Sequence, residues 1–389
     1  MGFDFYLSEM SVSDHHGGGL TLQRIIGDDL AEITYFVHIT RFGTDLPVTE
    51  KYKGKSINLW SFWETDLAKK LLGNTMAWKI ARKLLMIKLH AKKSAIILNQ
   101  KFPGKKDLKV LVSPQSANSI FALEALKKIR SVHYVTWVMD DHLVKYVNGQ
   151  WTYDKGIEPI YGKHLKEANQ IFVISPAMQT FYKERFGVES TVLFGSADIV
   201  PGDIKPGLRT NEHLKIGYFG AIAAWQIDAL QVATNALNDS NAELHIYSGA
   251  DGLPAELNKG GVYFKGRISP SRVLTTMQDY DAILLPISFL EKLRNMSEFN
   301  IATKMSEYLA SGVPILVVGP SYAAMVKYLR VHNAAILVDS DNPAAMKAAF
   351  EVLKNNIIVE EILRNARALA VNETGTVPMR KKWENLAKK

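Results

Sequence analysis

The 389-residue sequence contains no cysteine. Disulfide bonds and thiolate metal sites are therefore excluded, and with them the secreted folds that depend on disulfides. No uninterrupted apolar run approaches the roughly 20 residues that a bilayer-spanning helix needs. Residues 1–10 contain Asp4 and Glu9 and lack a basic start before an apolar block, which argues against a signal peptide. The sequence predicts a soluble, cytoplasmic protein.

Composition predicts a folded protein and allows an anionic partner. Hydrophobic residues make up 47% of the chain and charged residues 22%, as in globular proteins. The length suits two domains of ordinary size. A net charge of +8 is compatible with a phosphorylated substrate, an anionic lipid or a nucleic acid.

Much of the positive charge lies in residues 66–106. Here Trp78, Ala81, Leu85 and Leu89 form a predicted apolar stripe, which Lys79, Arg82, Lys83 and Lys88 border. A basic amphipathic helix of this kind is typical of an anionic membrane surface, on which the protein would be peripheral at the inner face. The alternative is a surface helix with a solvated basic face, and periodicity does not separate the two.

Residues 299–318 predict a helix followed by a buried strand. Ile301, Met305, Tyr308 and Leu309 have helical spacing, with Thr303 or Asn300 as the expected N-cap. Gly312 and Pro314 then end the helix, and residues 315–318 are all apolar. Lys304 and Glu307 share one face of its first turn. That position suits a phosphate at the lysine and a sugar diol at the glutamate.

Polar residues follow several other predicted strands. Asp140 and Asp141 come directly after the apolar run 132–139, at the strand end where catalytic groups collect in open α/β sheets. They suit a base, an electrostatic stabiliser or a metal site, and one of them equally suits a helix N-cap. His16, Gly17, Gly18 and Gly19 form a predicted turn between strand and helix, where backbone approaches a ligand closely.

The Lys-x-x-Glu-Tyr-Leu-Ala-Ser-Gly-x-Pro run that starts at Lys304 resembles the donor-site signature of retaining GT-B glycosyltransferases of family 4, also called glycosyl transferases group 1. The resemblance covers nearly the whole chain and points to the exopolysaccharide and glycolipid type. It implies an α/β fold of two Rossmann-like, doubly wound domains facing across a cleft. The implied reaction moves a sugar from a UDP- or GDP-linked donor to a carbohydrate or lipid-linked acceptor, with no cofactor and no metal.

The resemblance also implies roles for residues. Glu307 would bind the ribose, Lys304 would lie near the diphosphate, and the glycine loop would lie beside the reacting sugar. The full predicted set is Asp140, Asp141 and Glu298 for catalysis; Gly220, Ala221, Arg267, Asn300, Ile301, Thr303, Lys304 and Glu307 for the donor; and His16, Gly17, Gly18 and Gly19 for the acceptor and sugar.

Three departures from the family pattern affect these roles. Counting back from Glu307 places Phe299 where the family has an acid, with Glu298 one residue early. Residues 221–225 contain no cation after the Gly220 turn, so Lys304 and Arg267 would have to neutralise the diphosphate. Residues 194–198 lack the usual asparagine of the turn before the linker.

The predicted boundaries are 1–205 for an acceptor-binding domain, 206–370 for a donor-binding domain and 371–389 for a helix that returns to the first domain. The Pro- and Gly-rich residues 199–212 are the predicted linker. Asp279 and Asp281 mimic a metal-binding Asp-x-Asp, but they precede their strand and are interpreted as structural. The alternatives are a nucleotide-sugar 2-epimerase and a non-catalytic membrane- or nucleic-acid-binding protein. The sequence has no recognisable nucleic-acid-reading module, so no nucleic-acid partner is expected.

Overall fold

A computed structural model describes residues 2–14, 17–39, 48–60, 67, 70, 75, 85–198, 213–237 and 240–387. The described residues group into two compact units. The first is drawn from residues 1–144, 151–193 and 380–389, and the second from residues 145–150 and 194–379. The predicted linker 199–212 lies outside the described residues, so the boundary at 205 stays a prediction.

A seven-stranded sheet forms the centre of the first unit, in the order β3-β2-β1-β4-β5-β8-β9. Its neighbouring strands pair in parallel. A separate two-stranded sheet contains β6 and β7. The strands are β1 (Phe5–Ser8), β2 (Tyr35–His38), β3 (Ser56–Asn58), β4 (Asp107–Ser113), β5 (Ser131–Val138), β6 (Val144–Val147), β7 (Gln150–Tyr153), β8 (Gln170–Val173) and β9 (Thr191–Val192).

Helices cover the faces of this sheet, as parallel strands require. They are α1 (Gly17–Ile26), α2 (Asp29–Glu32), α3 (Glu50–Lys53), α4 (Ile87–Lys101), α5 (Ala117–Lys127), α6 (Ile157–Glu167) and α7 (Pro176–Phe186). The sequence specifies their ends: Ser175 caps α7 by accepting from the Met178 N–H, and Gly187 ends that helix with a φ of 68°.

The second unit contains a six-stranded sheet in the order β12-β11-β10-β13-β14-β15, again with parallel neighbours. The reversal of order at β10 is the doubly wound pattern that places ligands at the carboxyl ends of the strands. The strands are β10 (Leu214–Phe219), β11 (Ala242–Tyr247), β12 (Val262–Gly266), β13 (Ala282–Pro286), β14 (Ile315–Val318) and β15 (Ile336–Val338).

Helices follow most strands of the second unit. They are α8 (Ile227–Leu237), α9 (Pro270–Met277), α10 (Arg294–Phe299), α11 (Met305–Ala310), α12 (Ala324–Val331), α13 (Pro343–Leu353), α14 (Asn356–Leu369) and α15 (Thr376–Ala387). Helices α8 and α13 pack on the sheet through an apolar core that includes Leu230, Leu244 and Phe350. The end of α15 belongs to the first unit, where the Trp383 ring lies 5.3 Å from Phe172 and 6.2 Å from Trp137 between ring centres.

Three local expectations differ from the structure. Gly17–Gly19 form the first turn of α1 and not a loop before it. The β-rich run 31–39 predicts a strand, but only Tyr35–His38 is extended, because Asp29–Glu32 is helical. Neither Asn300 nor Thr303 caps α11: that helix begins at Met305, and no described side chain caps it. Among the described residues, no helix has the length and apolar character needed to cross a membrane.

Candidate functional site

The donor-binding candidates lie at the carboxyl edge of the second sheet. Strand β10 ends at Phe219 and leads into Gly220, and the loop 300–304 leads into α11. Arg267 follows the end of β12. Because β10 and β12 are separated by one strand, their ends lie about 10 Å apart. The fold therefore brings Gly220 and Arg267 to one edge of the sheet.

Lys304 lies directly against the Gly220 turn. A Cβ atom on Gly220 would stand 2.6 Å from Lys304 Nζ, so a side chain at position 220 would displace the amine from this place. The same Nζ lies 4.1 Å from the centre of the Tyr218 ring, within cation–π distance. Nζ is buried and has no hydrogen-bond partner among the described residues, although the residue as a whole is partly exposed.

Burial of this amine changes its charge state. Loss of hydration lowers the pKa of Lys304 to about 7, and the nearby Glu307 carboxylate opposes that shift. A buried amine without a partner is costly unless an anion compensates it. The arrangement is thus suited to hold a negatively charged group at the Gly220 turn.

The Gly220 turn differs from the expectation in one respect. The Gly220 N–H donates to the Tyr247 carbonyl at 2.9 Å, because β10 continues its pairing with β11 there. That amide is consequently not available to a ligand. Among the described residues no acceptor pairs with the N–H of the exposed Ala221, which is the next donor along the turn.

Two tyrosines outside the predicted set position this turn. The Tyr308 hydroxyl accepts from the Phe219 N–H at 3.0 Å and lies 3.2 Å from the Phe219 carbonyl, to which it donates. The Tyr218 hydroxyl contacts the Ala221 carbonyl and lies 3.0 Å from Gln226 Oε1. Tyr308 belongs to the motif, but its partner is 89 residues away, which no local pattern reveals.

The loop before α11 packs against residues 194–198. Ser306 donates to the Gly195 carbonyl, and a Cβ on Gly195 would stand 2.6 Å from both Cα and O of Thr303. Asn300 and Ile301 are buried, and no described group forms a hydrogen bond with Asn300 Oδ1. Gly195 has no side chain, and this is what allows its close contact with Thr303.

Glu307 and Glu298 have different surroundings. Glu307 is partly buried in the first turn of α11, on the Lys304 side. Glu298 pairs with Arg294, whose Nε lies 2.6 Å from Glu298 Oε2. The Arg294 guanidinium also lies over the rings of Tyr146 and Tyr322 at 4.1 and 4.4 Å. Glu298 is thus neutralised by a neighbour four residues away, whereas its catalytic role stays a prediction.

In the first unit, the two adjacent acids have separate environments. Asp141 is buried and accepts from the N–H groups of Leu143 and Val144, at 2.9 and 3.1 Å. The Tyr182 hydroxyl donates to its other oxygen at 2.9 Å, and the Tyr153 hydroxyl lies 3.5 Å away. Burial raises the pKa of Asp141 and these bonds oppose the shift. Asp141 therefore caps the turn into β6, where the sequence had predicted a helix cap as one alternative.

Asp140 makes no hydrogen bond with a described residue and is partly exposed. Burial of its carboxyl, and secondarily the charge of Asp141, raise the pKa of Asp140 to about 7. A carboxyl that titrates near neutral pH at the carboxyl end of a strand is suited to acid–base or electrostatic work.

The glycine segment lies next to this acid. A Cβ on Gly18 would collide with the Met10 thioether and would stand 3.5 Å from Met139 Sδ, and Met139 directly precedes Asp140. His16 lies outside the described residues. Glu9 occupies the N-terminus of α5, where it accepts from the N–H groups of Gln115 and Ser119 at 2.9 and 2.8 Å. The chain therefore fills that helix end with its own carboxylate.

Asp281 has a structural partner. It accepts from the Lys215 N–H at 2.8 Å and joins β13 to β10 at the entrance of the strands. Within the described ranges, no group of three histidine, aspartate or glutamate side chains is arranged to hold a metal ion.

No family model matches this chain, and no curated protein matches it in sequence. Solved structures do match its fold. Sucrose-phosphate synthase from Thermosynechococcus elongatus has a TM-score of 0.68 at 12% identity, over 99% of this chain and 98% of that one. Anabaena HepE in complex with UDP has a TM-score of 0.64 at 12% identity and full coverage of both chains. The lipopolysaccharide outer core galactosyltransferase WaaB has a TM-score of 0.63 at 13% identity, over 100% and 99% of the two chains.

The chain has a GT-B fold. The predicted fold class is thereby confirmed. The structural neighbours of this chain are GT-B glycosyltransferases. At such low identity the likeness is one of fold, so membership of family 4 stays a prediction.

Proposed function

We propose that this chain is a retaining glycosyltransferase that moves a sugar from a nucleotide-diphosphate donor to an acceptor hydroxyl. In this reaction the bond between the anomeric carbon and the diphosphate oxygen breaks, and the nucleoside diphosphate leaves with the electron pair. The acceptor oxygen forms the new bond and loses its proton. The product class is a polysaccharide or a glycolipid.

One observation supports the proposal most: the buried Lys304 amine lies against Gly220 and forms no hydrogen bond with any described group. An anionic ligand would restore its proton and offset the cost of its burial. In a glycosyl transfer, negative charge grows on the leaving diphosphate, and a preorganised cation at that position is the largest kind of catalytic stabilisation. In this proposal the Lys304 amine and the Ala221 N–H stabilise the negative charge on the diphosphate, and no metal ion is assigned a role.

The spacing of the candidate residues fits the length of a nucleoside diphosphate. With the diphosphate at Lys304, the roughly 10 Å between the ends of β10 and β12 would allow the nucleobase to lie near Arg267. Glu307, one turn into α11, would accept hydrogen bonds from the ribose hydroxyls. Solved structures of one fold relative, Anabaena HepE, contain UDP or UDP-glucose, which favours UDP over GDP as the first donor to test.

Asp140 is the proposed acid of the first unit. Its carboxyl forms no hydrogen bond with a described residue, and burial raises its pKa to about 7, so it would orient the acceptor hydroxyl or stabilise a positively charged sugar in the transition state. Asp141 is assigned to holding that turn, since its oxygens are already bonded. Gly17–Gly19, beside Met139, would leave room for the sugar.

The test is calorimetric titration of UDP, GDP and their sugar conjugates into wild type, Glu307→Ala and the control Glu360→Ala, which changes an exposed glutamate of α14. We expect one nucleotide to bind at micromolar affinity, with loss of binding in Glu307→Ala alone. If no nucleotide binds, or if both variants lose binding equally, the proposal is wrong. Product analysis without acceptor then separates transfer from epimerisation, because only an epimerase changes the donor sugar under those conditions.

A further inference from the structure

Helix α4 (Ile87–Lys101) packs into the first unit through small and apolar residues. Its buried side consists of Ala91, Ser94, Ala95 and Leu98, and Ala95 and Leu98 belong to the apolar core of that unit. This side anchors the helix to the described part of the first unit. The opposite side faces solvent.

The solvent side of α4 is apolar along its centre. Leu89 and Ile96 are 49% and 52% exposed, and Leu85, two residues before the helix begins, is 52% exposed. Spacings of four and seven residues place all three on one side of a helix. Lys92 lies within this row and Lys88 and Lys93 flank it, all three exposed. We name these six residues the α4 ridge.

The surrounding sequence carries charge of only one sign. Residues 67–106 contain no aspartate or glutamate. Their basic residues are Lys69, Lys70, Lys79, Arg82, Lys83, Lys88, Lys92, Lys93, Lys101, Lys105 and Lys106. No described carboxylate pairs with Lys88, Lys92 or Lys93, so their charges are available to an external partner.

The position of the apolar side chains separates two interpretations that the sequence left open. A merely solvated basic helix has no physical reason to hold two leucines and an isoleucine in one exposed row. The phosphates of a nucleic acid would bind the lysines, but a nucleic acid would not bury the apolar row. An anionic bilayer would bind both, since the apolar residues enter the boundary of the acyl chains while the lysines contact headgroup phosphates. Trp78 and Ala81 of the predicted stripe lie outside the described residues.

We propose that the α4 ridge docks the protein on an anionic lipid bilayer. Leu85, Leu89 and Ile96 insert at the level of the headgroups, and Lys88, Lys92 and Lys93 bind their phosphates. This interaction is independent of glycosyl transfer, because it uses the face of a helix and none of the donor-site residues. Its test therefore measures binding and needs no activity.

The experiment is co-sedimentation with vesicles of phosphatidylcholine alone and of phosphatidylcholine mixed with phosphatidylglycerol. One variant replaces the three ridge lysines (Lys88→Gln, Lys92→Gln, Lys93→Gln), and a second replaces its apolar residues (Leu85→Ser, Leu89→Ser, Ile96→Ser). Matched controls change exposed residues elsewhere: Lys128→Gln, Lys155→Gln and Lys166→Gln together, and Ile129→Ser, Val331→Ser and Ile357→Ser together. Circular dichroism and thermal unfolding verify that every variant is folded.

We expect wild type to bind the phosphatidylglycerol vesicles and to release them as salt is raised. Each lysine near an anionic surface favours binding by several-fold, so the triple lysine variant should bind on the order of 100-fold more weakly. The apolar variant should also lose binding although its charge is unchanged. Both control variants should bind as wild type does.

Three outcomes would overturn the proposal. The first is absence of binding to either kind of vesicle. The second is an equal loss in the control variants, which would make the effect one of net charge. The third is salt-dependent binding to a DNA duplex that needs the lysines but not Leu85, Leu89 and Ile96, which would identify a nucleic-acid surface.

Discussion

The side-chain amine of Lys304 fills the space that a side chain on Gly220 would need, 2.6 Å from the position of its Cβ. The two residues are 84 positions apart in the sequence, and β10 and the loop before α11 bring them together. The amine is buried from water and lies over the ring of Tyr218. This cation–π contact compensates the lost hydration of the amine only in part. Both the donor-binding proposal and its pH dependence follow from this contact.

Lys304→Met tests the contact through stability. Methionine keeps the length and removes the charge. In wild type the folded pKa is about 7 and the unfolded value is near 10.4. Between those values the unfolded chain binds the proton that the folded protein releases, so the free energy of unfolding rises with pH by at most about 1.4 kcal/mol per unit. Urea unfolding from pH 7 to 10 should show this slope in wild type and not in Lys304→Met.

The same variant has a second expected effect, on the donor. A bound diphosphate raises the pKa of Lys304, so affinity for the nucleotide sugar should be highest below pH 7 and fall as pH rises above it. Lys304→Met should remove that pH dependence and lower turnover about 100-fold or more. Lys327→Met, at an exposed position, is the control. Parallel pH curves in all three proteins would contradict the assignment.

Gly195→Ala tests the packing of the loop before α11. Its added Cβ would stand 2.6 Å from the Thr303 backbone, which cannot rotate away, so the loop that carries Lys304 must shift. By comparison, the Cβ added in Gly18→Ala would meet the flexible end of the Met10 side chain, and the Cβ added in Gly260→Ala would meet nothing within 4 Å. We expect donor affinity to fall at least about tenfold in Gly195→Ala, with a loss of roughly 1–3 kcal/mol in stability. Wild-type affinity in Gly195→Ala would show that the loop does not hold the donor.

The sequence predicted much of the second unit because its signals are local. Helical spacing, Gly312 and Pro314 define α11 and β14 without reference to distant residues. The Tyr308 bond to Phe219 and the contact of Gly195 with Thr303 span 89 and 108 positions, and each depends on how separate elements pack. Similarly, the sequence does not show that the Gly220 N–H donates to the Tyr247 carbonyl.

The acidic pair illustrates the same limit. Adjacent aspartates after a strand predicted a site, but the sequence could not say which carboxylate was already bonded. That depended on Tyr182 and Tyr153, from α7 and β7, reaching Asp141 and not Asp140. The side-chain direction alternates along an extended segment, so neighbouring residues meet different surroundings.

Asp140→Asn and Asp141→Asn should therefore differ. An asparagine at position 141 keeps one acceptor oxygen, but its NH2 group faces hydrogen-bond donors where Asp141 has its second acceptor oxygen. We therefore expect a loss of about 2–4 kcal/mol in stability by urea unfolding. Asp140→Asn breaks no hydrogen bond and should lower the transfer rate with little loss of stability. The raised pKa of Asp140 also makes wild-type stability decrease as pH rises from about 4 to 7, and Asp140→Asn should lose that part of the slope. Equal destabilisation with an unchanged rate in both variants would make the pair structural.

Tyr308→Phe tests whether a buried hydroxyl positions the donor turn. The change leaves the ring in place and removes the oxygen that bonds both backbone groups of Phe219, next to Gly220. The Phe219 N–H then remains buried without an acceptor, at a cost of about 1–3 kcal/mol. Because the turn loses its orientation while Lys304 keeps its charge, we expect KM for the nucleotide sugar to rise several-fold with a smaller change in kcat. Tyr328→Phe, which removes a hydroxyl bonded to Glu373 in the same unit, is the matched control. If both variants lose stability equally and neither changes KM, Tyr308 only supports the core.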